Sequence, residues 1–392
     1  MIVAFDTWVL QPYQRNGGIY NYAKSLLREF QSLVGARDEL TVRPFFARGC
    51  SDEAVRLGTS DWIKPVNTRL LRFHRFWQLG GITAAAARIR ADLIFSPTSH
   101  ICPLGPIPVI TTIHDATPVL SPSWGSRVTL LERIWLWNAV KFSAQCITDS
   151  ECTKRDIVEI YGVPPEKITV AYLGYDRKTF NPSPVDPGKQ SVLFDRYGIK
   201  GPYIFHHGAV QPRKNLERLI RACQLLWDTG RDLRFHLVLA GPLGWRYRPI
   251  LEAADKVGGV GKVVFTGALS DEDLALLLKG AELCVIPSLY EGFCLPMVEA
   301  MACGVPTVVS NSSCFPEVSG GVLEYFDAHS VEEMAETIRL ALEDSCVRDR
   351  LRHAGLARAA EFSWERCARE TMRIFAETSA RYGRKHSKLP FS

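Results

Sequence analysis

Short β-branched runs alternate with helical patterns along most of this chain, and that alternation restricts the fold more than any other feature. In the second half, strand candidates fall at 203–207, 235–240, 262–265, 283–286, 306–309 and 322–325. Helical stretches separate most of them, at 215–228, 246–257, 271–279 and 295–303. Within 215–228, Leu216, Leu219, Ile220 and Cys223 recur at helical spacing. The first half alternates less cleanly, with strands expected at 2–6, 40–46, 92–95, 108–113, 145–149 and 168–171. Its helices are expected at 18–30, 66–90, 126–143 and 152–161. Such alternation implies parallel sheets covered on both faces, an α/β class. Asp176–Gly201, with Pro182, Pro184 and Pro187 close together, reads as an interdomain linker. Two Rossmann-like domains facing a cleft then place ligands at the carboxyl ends of both sheets.

The bulk numbers agree. A chain of 392 residues suits two or three domains at about 100–200 residues each. An apolar content of 46% with 23% charged residues describes a soluble globular protein. The net charge of +5 fits anionic substrates or a membrane surface and is too weak to indicate nucleic acid. Eleven cysteines, an odd number with no Cys-x-x-Cys pair, suggest reduced thiols in a cytoplasm. The N-terminal Met-Ile-Val-Ala-Phe-Asp has no basic leader. No apolar run approaches the roughly 18 residues of a spanning helix. Asn311-Ser312-Ser313 matches a glycosylation sequon, which has no meaning in a cytoplasmic protein.

Residues 288–310 carry the strongest chemical signal. They read Ser-Leu-Tyr-Glu-Gly-Phe-Cys-Leu-Pro-Met-Val-Glu-Ala-Met-Ala-Cys-Gly-Val-Pro-Thr-Val-Val-Ser. Glu291 precedes a glycine loop, and Glu299 follows inside a short helix. Pro296 suits a first helical turn, where its missing N–H would be unpaired anyway. Free N–H groups of the loop and first turn are expected to seat an anion, with the Glu299 carboxylate to one side. That arrangement suits a nucleotide sugar, with diphosphate on the amides and ribose hydroxyls on the acid.

This stretch resembles the signature of the retaining glycosyltransferases of family 4, which have the GT-B fold. Their pattern is Glu-Gly-Phe-Gly-Leu-Pro followed by Glu-Ala-Met-Ala-Cys-Gly. The chain departs once, with Cys294 where glycine is usual. A β-carbon there narrows the space beside the donor sugar. The resemblance implies that Glu291 and the backbone of Gly292, Phe293, Cys294 and Leu295 hold the donor sugar, while Glu299 binds ribose. It also implies a last helix, near 364–382, that crosses back onto the first domain. The expected division is 1–180 with 364–392 as the acceptor domain and 181–363 as the nucleotide-sugar domain.

Other strings fit the same family. Gly208-Ala209-Val210-Gln211-Pro212-Arg213-Lys214-Asn215-Leu216 follows a strand and opens a helix, resembling the family's phosphate loop. Arg213 and Lys214 would neutralise a departing nucleoside diphosphate without a metal. Gly17-Gly18 looks like the N-terminal donor loop. His114-Asp115 ends a strand, and the resemblance gives His114 a part in orienting the donor and Asp115 a part in meeting the acceptor. Ser150-Glu151-Cys152-Thr153-Lys154 resembles a Ser-Glu-x-x-Lys turn, and locally Ser150 reads as a helix cap.

Three patterns point elsewhere and are set aside. Asp271-Glu272-Asp273 spells a metal-binding Asp-x-Asp, but Ser270 before it makes an ordinary helix start. Gly258–Lys262 fails the Walker pattern, because Lys256 and Val263 occupy two of its required positions. His206-His207 reads as the end of a buried strand. No metal or organic cofactor is expected, and the co-substrate is a GDP- or UDP-linked sugar. The overall flavour resembles mannosyl- or rhamnosyltransferases of bacterial surface polysaccharide assembly, with GDP-mannose the first expectation. Acceptors of that class are glycans, often lipid-linked. Rival readings are an epimerase or hydrolase of the same fold and a noncatalytic nucleotide-sugar sensor.

Two segments mix basic and aromatic residues. Arg69, Arg72, His74 and Arg75 interleave with Leu70, Leu71, Phe73, Phe76 and Trp77. Leu130, Leu131, Ile134, Trp135 and Trp137 lie in another rich helix. The preferred reading is a helix packed on a sheet with its basic side solvated. Peripheral contact with an anionic membrane, at the inner face of the cell membrane, is the alternative.

Overall fold

A computed structural model describes residues 1–10, 17–33, 40–47, 66–68, 76–103, 105–120, 130–229, 234–258 and 262–386. The chain forms two compact units. The first comprises Met1–Pro118, Val128–Gly174 and Ser363–Ser392, and the second includes Tyr175–Phe362.

The first unit is built on seven strands: β1 (Ile2–Asp6), β2 (Thr41–Ala47), β3 (Val66–Thr68), β4 (Leu93–Ser96), β5 (Val109–Ile113), β6 (Gln145–Thr148) and β7 (Ile168–Val170). They lie in the order β3-β2-β1-β4-β5-β6-β7, and every pairing is parallel. Val3 is flanked by Val42 and Leu93. β4, β5 and β6 are buried at every residue, as strands covered on both faces must be. Helix Gly18–Leu33 buries Tyr22, Ala23, Leu26, Leu27 and Phe30, a stripe at helical spacing.

The C-terminal helix Trp364–His386 belongs to this unit and packs on Gly18–Leu33. Phe375 sits 5.1 Å from Phe95 and 5.9 Å from Phe30, ring centre to ring centre. Phe5 meets Phe95 at 5.1 Å. All four rings are fully buried, and each aromatic pair adds about 0.5–1.5 kcal/mol beyond its buried area. Gly174 permits the chain to pass against this helix, since a β-carbon there would lie 2.0 Å from the Trp364 nitrogen.

The second unit repeats the plan with six strands: β8 (Tyr203–His207), β9 (His236–Ala240), β10 (Lys262–Gly267), β11 (Leu283–Ile286), β12 (Thr307–Ser310) and β13 (Glu324–Phe326). Their order is β10-β9-β8-β11-β12-β13, again all parallel. Both sheets therefore run outward from their first strand in the doubly wound manner, with the chain reversing direction between β1 and β4 and between β8 and β11.

Several expectations need correction. Val66–Thr68 is a short strand beside Phe45–Ala47, not the start of a helix. The helix expected at 66–90 reduces, among described residues, to a wide helical turn Trp77–Gly81, kinked within by Gly80 at φ 141°, and a helix Ile82–Arg88. Residues 69–75, and with them Arg69, Arg72, His74 and Arg75, lie outside the described residues. The supposed linker contains a helix, Pro187–Tyr197. Pro187 was read as a breaker, yet it opens the helix, where no N–H is needed, behind an Asp186 cap bonded to Gly188 N–H at 2.8 Å. Helices Val331–Glu343 and Ser345–Ala359 were also missed. The second buries only Leu351, Gly355 and Ala359, so its sequence shows little periodicity to read.

Candidate functional site

The crevice of a doubly wound sheet lies at the carboxyl ends of the strands where chain direction reverses. In the second unit, the loops after β8, β11 and β12 meet there. The loop after β8 carries Arg213 and Lys214 in the turn Pro212–Lys214, just before helix Leu216–Asp228. The loop after β11 carries Glu291, and helix Leu295–Ala302 follows with Glu299. Asn215 joins the loops. It is buried in the left-handed region at φ 58°, and its amide donates to the carbonyls of Pro287 (3.0 Å) and Ala328 (2.7 Å).

Arg213, Lys214 and Glu291 form one cluster. Lys214 Nζ lies 2.6 Å from Glu291 Oε1, and Arg213 Nη1 lies 2.6 Å from Glu291 Oε2. Arg213 Nη1 also donates to the Tyr290 carbonyl at 2.6 Å. Lys214 and Glu291 are 6% and 7% exposed, so water screens them little. Burial opposes the charge on Glu291, but Arg213 and Lys214 outweigh it and hold its carboxyl at about 2. Two cations against one carboxylate leave a single net positive charge, suited to an anionic ligand. The sequence reading gave Glu291 and the cations separate tasks, whereas here they are direct partners.

A serine clamp, invisible to that reading, sets the Glu291 backbone. Ser313 Oγ accepts the Glu291 N–H at 2.9 Å and donates to the Glu291 carbonyl at 2.7 Å. Ser310 and Ser312 both donate to the Ser288 carbonyl, at 2.7 and 3.2 Å. The only trace in the sequence is the serine-rich run after β12, which was read as an idle sequon.

The anion seat is narrower than expected. The Glu291 N–H is taken by Ser313, and the Met297 N–H donates to the Cys294 carbonyl at 3.0 Å. Pro296 supplies no N–H. Cys294, at φ 68°, caps this helix from the left-handed region, a conformation that disfavours a β-carbon by roughly 1–2 kcal/mol. Its thiol is buried, and burial with Glu291 nearby pushes it up to about 12, so it is no nucleophile at neutral pH.

Glu299 is different in kind from Glu291. Its side chain is 16% exposed, and its Oε2 lies 3.5 Å from His207 Nε2. Burial, followed by Asp271 and Asp176, pushes Glu299 up to about 8. Burial and the adjacent His206 push His207 down to about 3. The contact therefore joins two neutral groups at neutral pH rather than an ion pair. His207 sits at the end of the buried strand β8, as expected, but its contact with Glu299 was not foreseen.

The first unit carries its polar groups at the matching strand ends. His114, beyond β5, places Nδ1 2.7 Å from Asp149 Oδ2 and Nε2 2.9 Å from the Pro97 carbonyl. Two acceptors around one ring favour the imidazolium. Burial works against that charge, but Asp149 and the Pro97 carbonyl overcome it, and the histidine is raised above its ordinary value. Both ring nitrogens are thus engaged within the unit. Asp149, raised by burial, was absent from the sequence reading, although it stands beside the expected cap Ser150. Asp115 Oδ1 accepts the Thr117 N–H at 3.0 Å. Asp6, at the end of β1, is buried and accepts from Trp77 Nε1 at 2.9 Å.

Gly17 and Gly18 open the first helix, and a β-carbon on either would meet nothing within 4 Å. The fold itself does not require glycine there. Ser150 caps helix Glu151–Tyr161 by accepting the Thr153 N–H at 3.1 Å, as expected. Ser270 caps Asp271–Lys279 in the same way through the Asp273 N–H. Gly259–Gly261 of the Walker-like string lie outside the described residues.

Comparison with known proteins adds a second line. Residues 16–179 match the family model "Glycosyltransferase Family 4", and residues 193–358 match "Glycosyl transferases group 1". The O-antigen chain mannosyltransferase B of Escherichia coli is 31% identical over 295 residues, covering 74% of this chain and 76% of that protein. The serotype-specific mannosyltransferase WbdA of Escherichia coli is 37% identical over 182 residues, 45% of this chain but only 22% of WbdA. Among solved structures, Anabaena HepE in complex with UDP and glucose superposes with a TM-score of 0.72 at 20% identity, covering 96% of this chain and all of that one.

Proposed function

Because the chain belongs to the family 4 glycosyltransferases and has the GT-B fold, we propose that it moves mannose from GDP-mannose to a hydroxyl of a glycan or lipid-linked acceptor, with retention at the anomeric carbon. The observation that carries this reading is the Arg213–Lys214–Glu291 cluster at the strand reversal of the second sheet. The choice of mannose leans on the printed names of the two Escherichia coli relatives. The second unit takes the donor and the first the acceptor. The enzyme works in the cytoplasm without a metal or organic cofactor. No described helix is long and apolar enough to cross a membrane.

In the proposed reaction, the bond between C1 of the sugar and the diphosphate breaks, and the acceptor oxygen bonds to C1 on the same face. The acceptor proton passes to the departing diphosphate, so charge and protons balance without a covalent enzyme intermediate. Arg213 and Lys214 stabilise the diphosphate as its charge grows. For this, the diphosphate must compete with Glu291 for both cations, which frees the Glu291 carboxylate for sugar hydroxyls. Leu295 and the loop Gly292–Cys294 border the sugar, and Glu299 meets the ribose. Gly17 and Gly18 allow close backbone approach of a ligand. His114, held by Asp149, is assigned a part in orienting the donor, and Asp115 a part in meeting the acceptor hydroxyl.

Thermal stabilisation by GDP, UDP, ADP and their sugar conjugates, in buffer with chelator, tests the donor. A ligand held at 100 times its dissociation constant adds about 2.7 kcal/mol. A GDP-selective shift, followed by NMR of an α-mannosidic product, supports the full reading. A UDP-selective shift replaces the donor, a β product overturns retention, and no shift with any nucleotide overturns the donor site.

A further inference from the structure

Five of the twelve large apolar side chains exposed among the described residues fall on one helix, Leu130–Phe142 of the first unit. Leu130 is 74% exposed, Leu131 52%, Ile134 43%, Trp137 44% and Phe142 49%. At 100° per residue, Leu130, Ile134, Trp137 and Lys141 fall within about 60° of one another, with Leu131 and Phe142 along one border and Arg133 along the other. The opposite side, Leu136, Ala139 and Val140, is buried and holds the helix to its unit. The helix thus has two apolar faces, and among the described residues only one is buried.

The charges on the exposed face have one sign. Arg133 and Lys141 are exposed there, while Glu132 lies off that face and is only half-exposed. Lys141 Nζ is anchored at 2.7 Å on the Tyr161 carbonyl, and Lys167 Nζ donates to the Lys141 carbonyl at 2.6 Å, which gathers cations at the helix end. Trp137 and Phe142 pack edge to face at 5.4 Å, so the outermost aromatic surface is already ordered. A tryptophan among leucines with cations along the rim is the composition of a surface that lies in a lipid headgroup layer. Five exposed large apolar side chains on one short helix are uncommon on a protein that meets only water.

From this geometry we propose that the exposed face of Leu130–Phe142 docks on an anionic lipid bilayer. Leu130, Ile134, Trp137 and Phe142 enter the headgroup region, and Arg133 and Lys141 meet lipid phosphates. The sequence reading preferred a helix packed on the sheet with its basic side solvated and kept membrane contact as the alternative; the helix has one packed face and one exposed apolar face. The proposal does not rest on the donor site.

The test is co-sedimentation of the full chain with vesicles of phosphatidylcholine alone and of phosphatidylcholine mixed with phosphatidylglycerol, followed by tryptophan emission, with the Trp137 share taken as the difference between the parent and Trp137→Phe. Binding to the anionic vesicles, with a blue-shifted emission and weakening in salt, is expected. The double variant Ile134→Ser/Trp137→Ser should bind at least about tenfold more weakly, and Arg133→Gln alone about fivefold, one cation at the surface. Both changes are on exposed side chains, and unchanged melting and nucleotide response in each variant show that the fold and donor site persist. Equal binding to neutral vesicles would overturn the anionic part. No binding by the parent chain, or binding that the double variant leaves intact, would overturn the whole. Self-association abolished by the same variant would assign the face to a second copy instead.

Discussion

The two units share a strand order but treat their buried carboxylates in opposite ways. In the second, Glu291 is flanked by two cations and stays ionised down to about pH 2. In the first, Asp6 and Asp149 are buried with hydrogen-bond donors and one histidine, and burial raises both. One topology therefore supports a crevice with a net positive charge in one unit and buried acids held by Trp77, Ser96 and His114 in the other. The difference lies in the loops. The turn after β8 brings two cations to the reversal point, while the end of β1 brings Asp6 against Trp77 and Ser96.

The largest effect should come from breaking the charged side of this comparison. Glu291→Met leaves buried Lys214 without its carboxylate and should destabilise the unit by about 3–5 kcal/mol. The double change Lys214→Met/Glu291→Met should recover much of that in urea unfolding, yet stay inactive. If the single change melts like the parent, the cluster is not coupled. The pH sign follows from the lowered carboxyl. Stability from Glu291 is present above its ordinary value of 4.5 and is lost as pH falls toward about 2.

Lys214→Ala should lower turnover about 10²-fold and donor affinity less, if the cation acts on the departing diphosphate. Equal losses in both would make it a binding group alone.

Glu299 sharpens the comparison from within the second unit, since it behaves like the acids of the first. Measured above pH 8, where the carboxylate has formed, Glu299→Gln should weaken donor binding by about 1.5–3 kcal/mol, the range for hydrogen bonds to a charged group. Its raised value predicts that donor affinity increases as pH rises toward about 8, where the carboxylate forms. Titration calorimetry across that range should show the rise in the parent and a flat profile in the variant. Without ligand, the sign is reversed for folding. Between pH 4.5 and about 8 the unfolded chain ionises Glu299 while the folded unit keeps it protonated, so stability falls as pH rises across that window.

In the first unit, the raised histidine means that the His114–Asp149 contribution is full below pH 6.5 and fades as pH rises through the folded value. Asp149→Asn should move the His114 imidazole titration downward by NMR. An unmoved titration would show that Asp149 does not hold the proton.

The smallest effect concerns Cys294. Cys294→Gly relieves a left-handed β-carbon worth roughly 1–2 kcal/mol, offset in part by the lost buried thiol. Stability should change by less than about 1 kcal/mol, while selectivity among donor sugars should loosen. Unaltered selectivity would remove Cys294 from the sugar pocket.

What could be read from the chain alone was local. Strand β8 and its histidines, the caps Ser150 and Ser270, and the helix behind Pro296 each follow from a few neighbouring residues whose period or hydrogen-bonding pattern is encoded on the spot. Pro187 shows how the same local logic errs, because proline opens a helix as readily as it ends one. The family strings named Arg213, Lys214 and Glu291, but not that they would meet. Lys214 lies 77 residues from Glu291 in the chain, and Arg213 one further. His114 finds Asp149 across 35 residues, and Ser313 reaches Glu291 across 22. Only the parallel pairing of strands brings such distant loop ends together. Whether a carboxylate then rests near 2 or near 8 depends on which charges and how much protein surround it. That is a property of packed three-dimensional neighbours, and no stretch of sequence contains it.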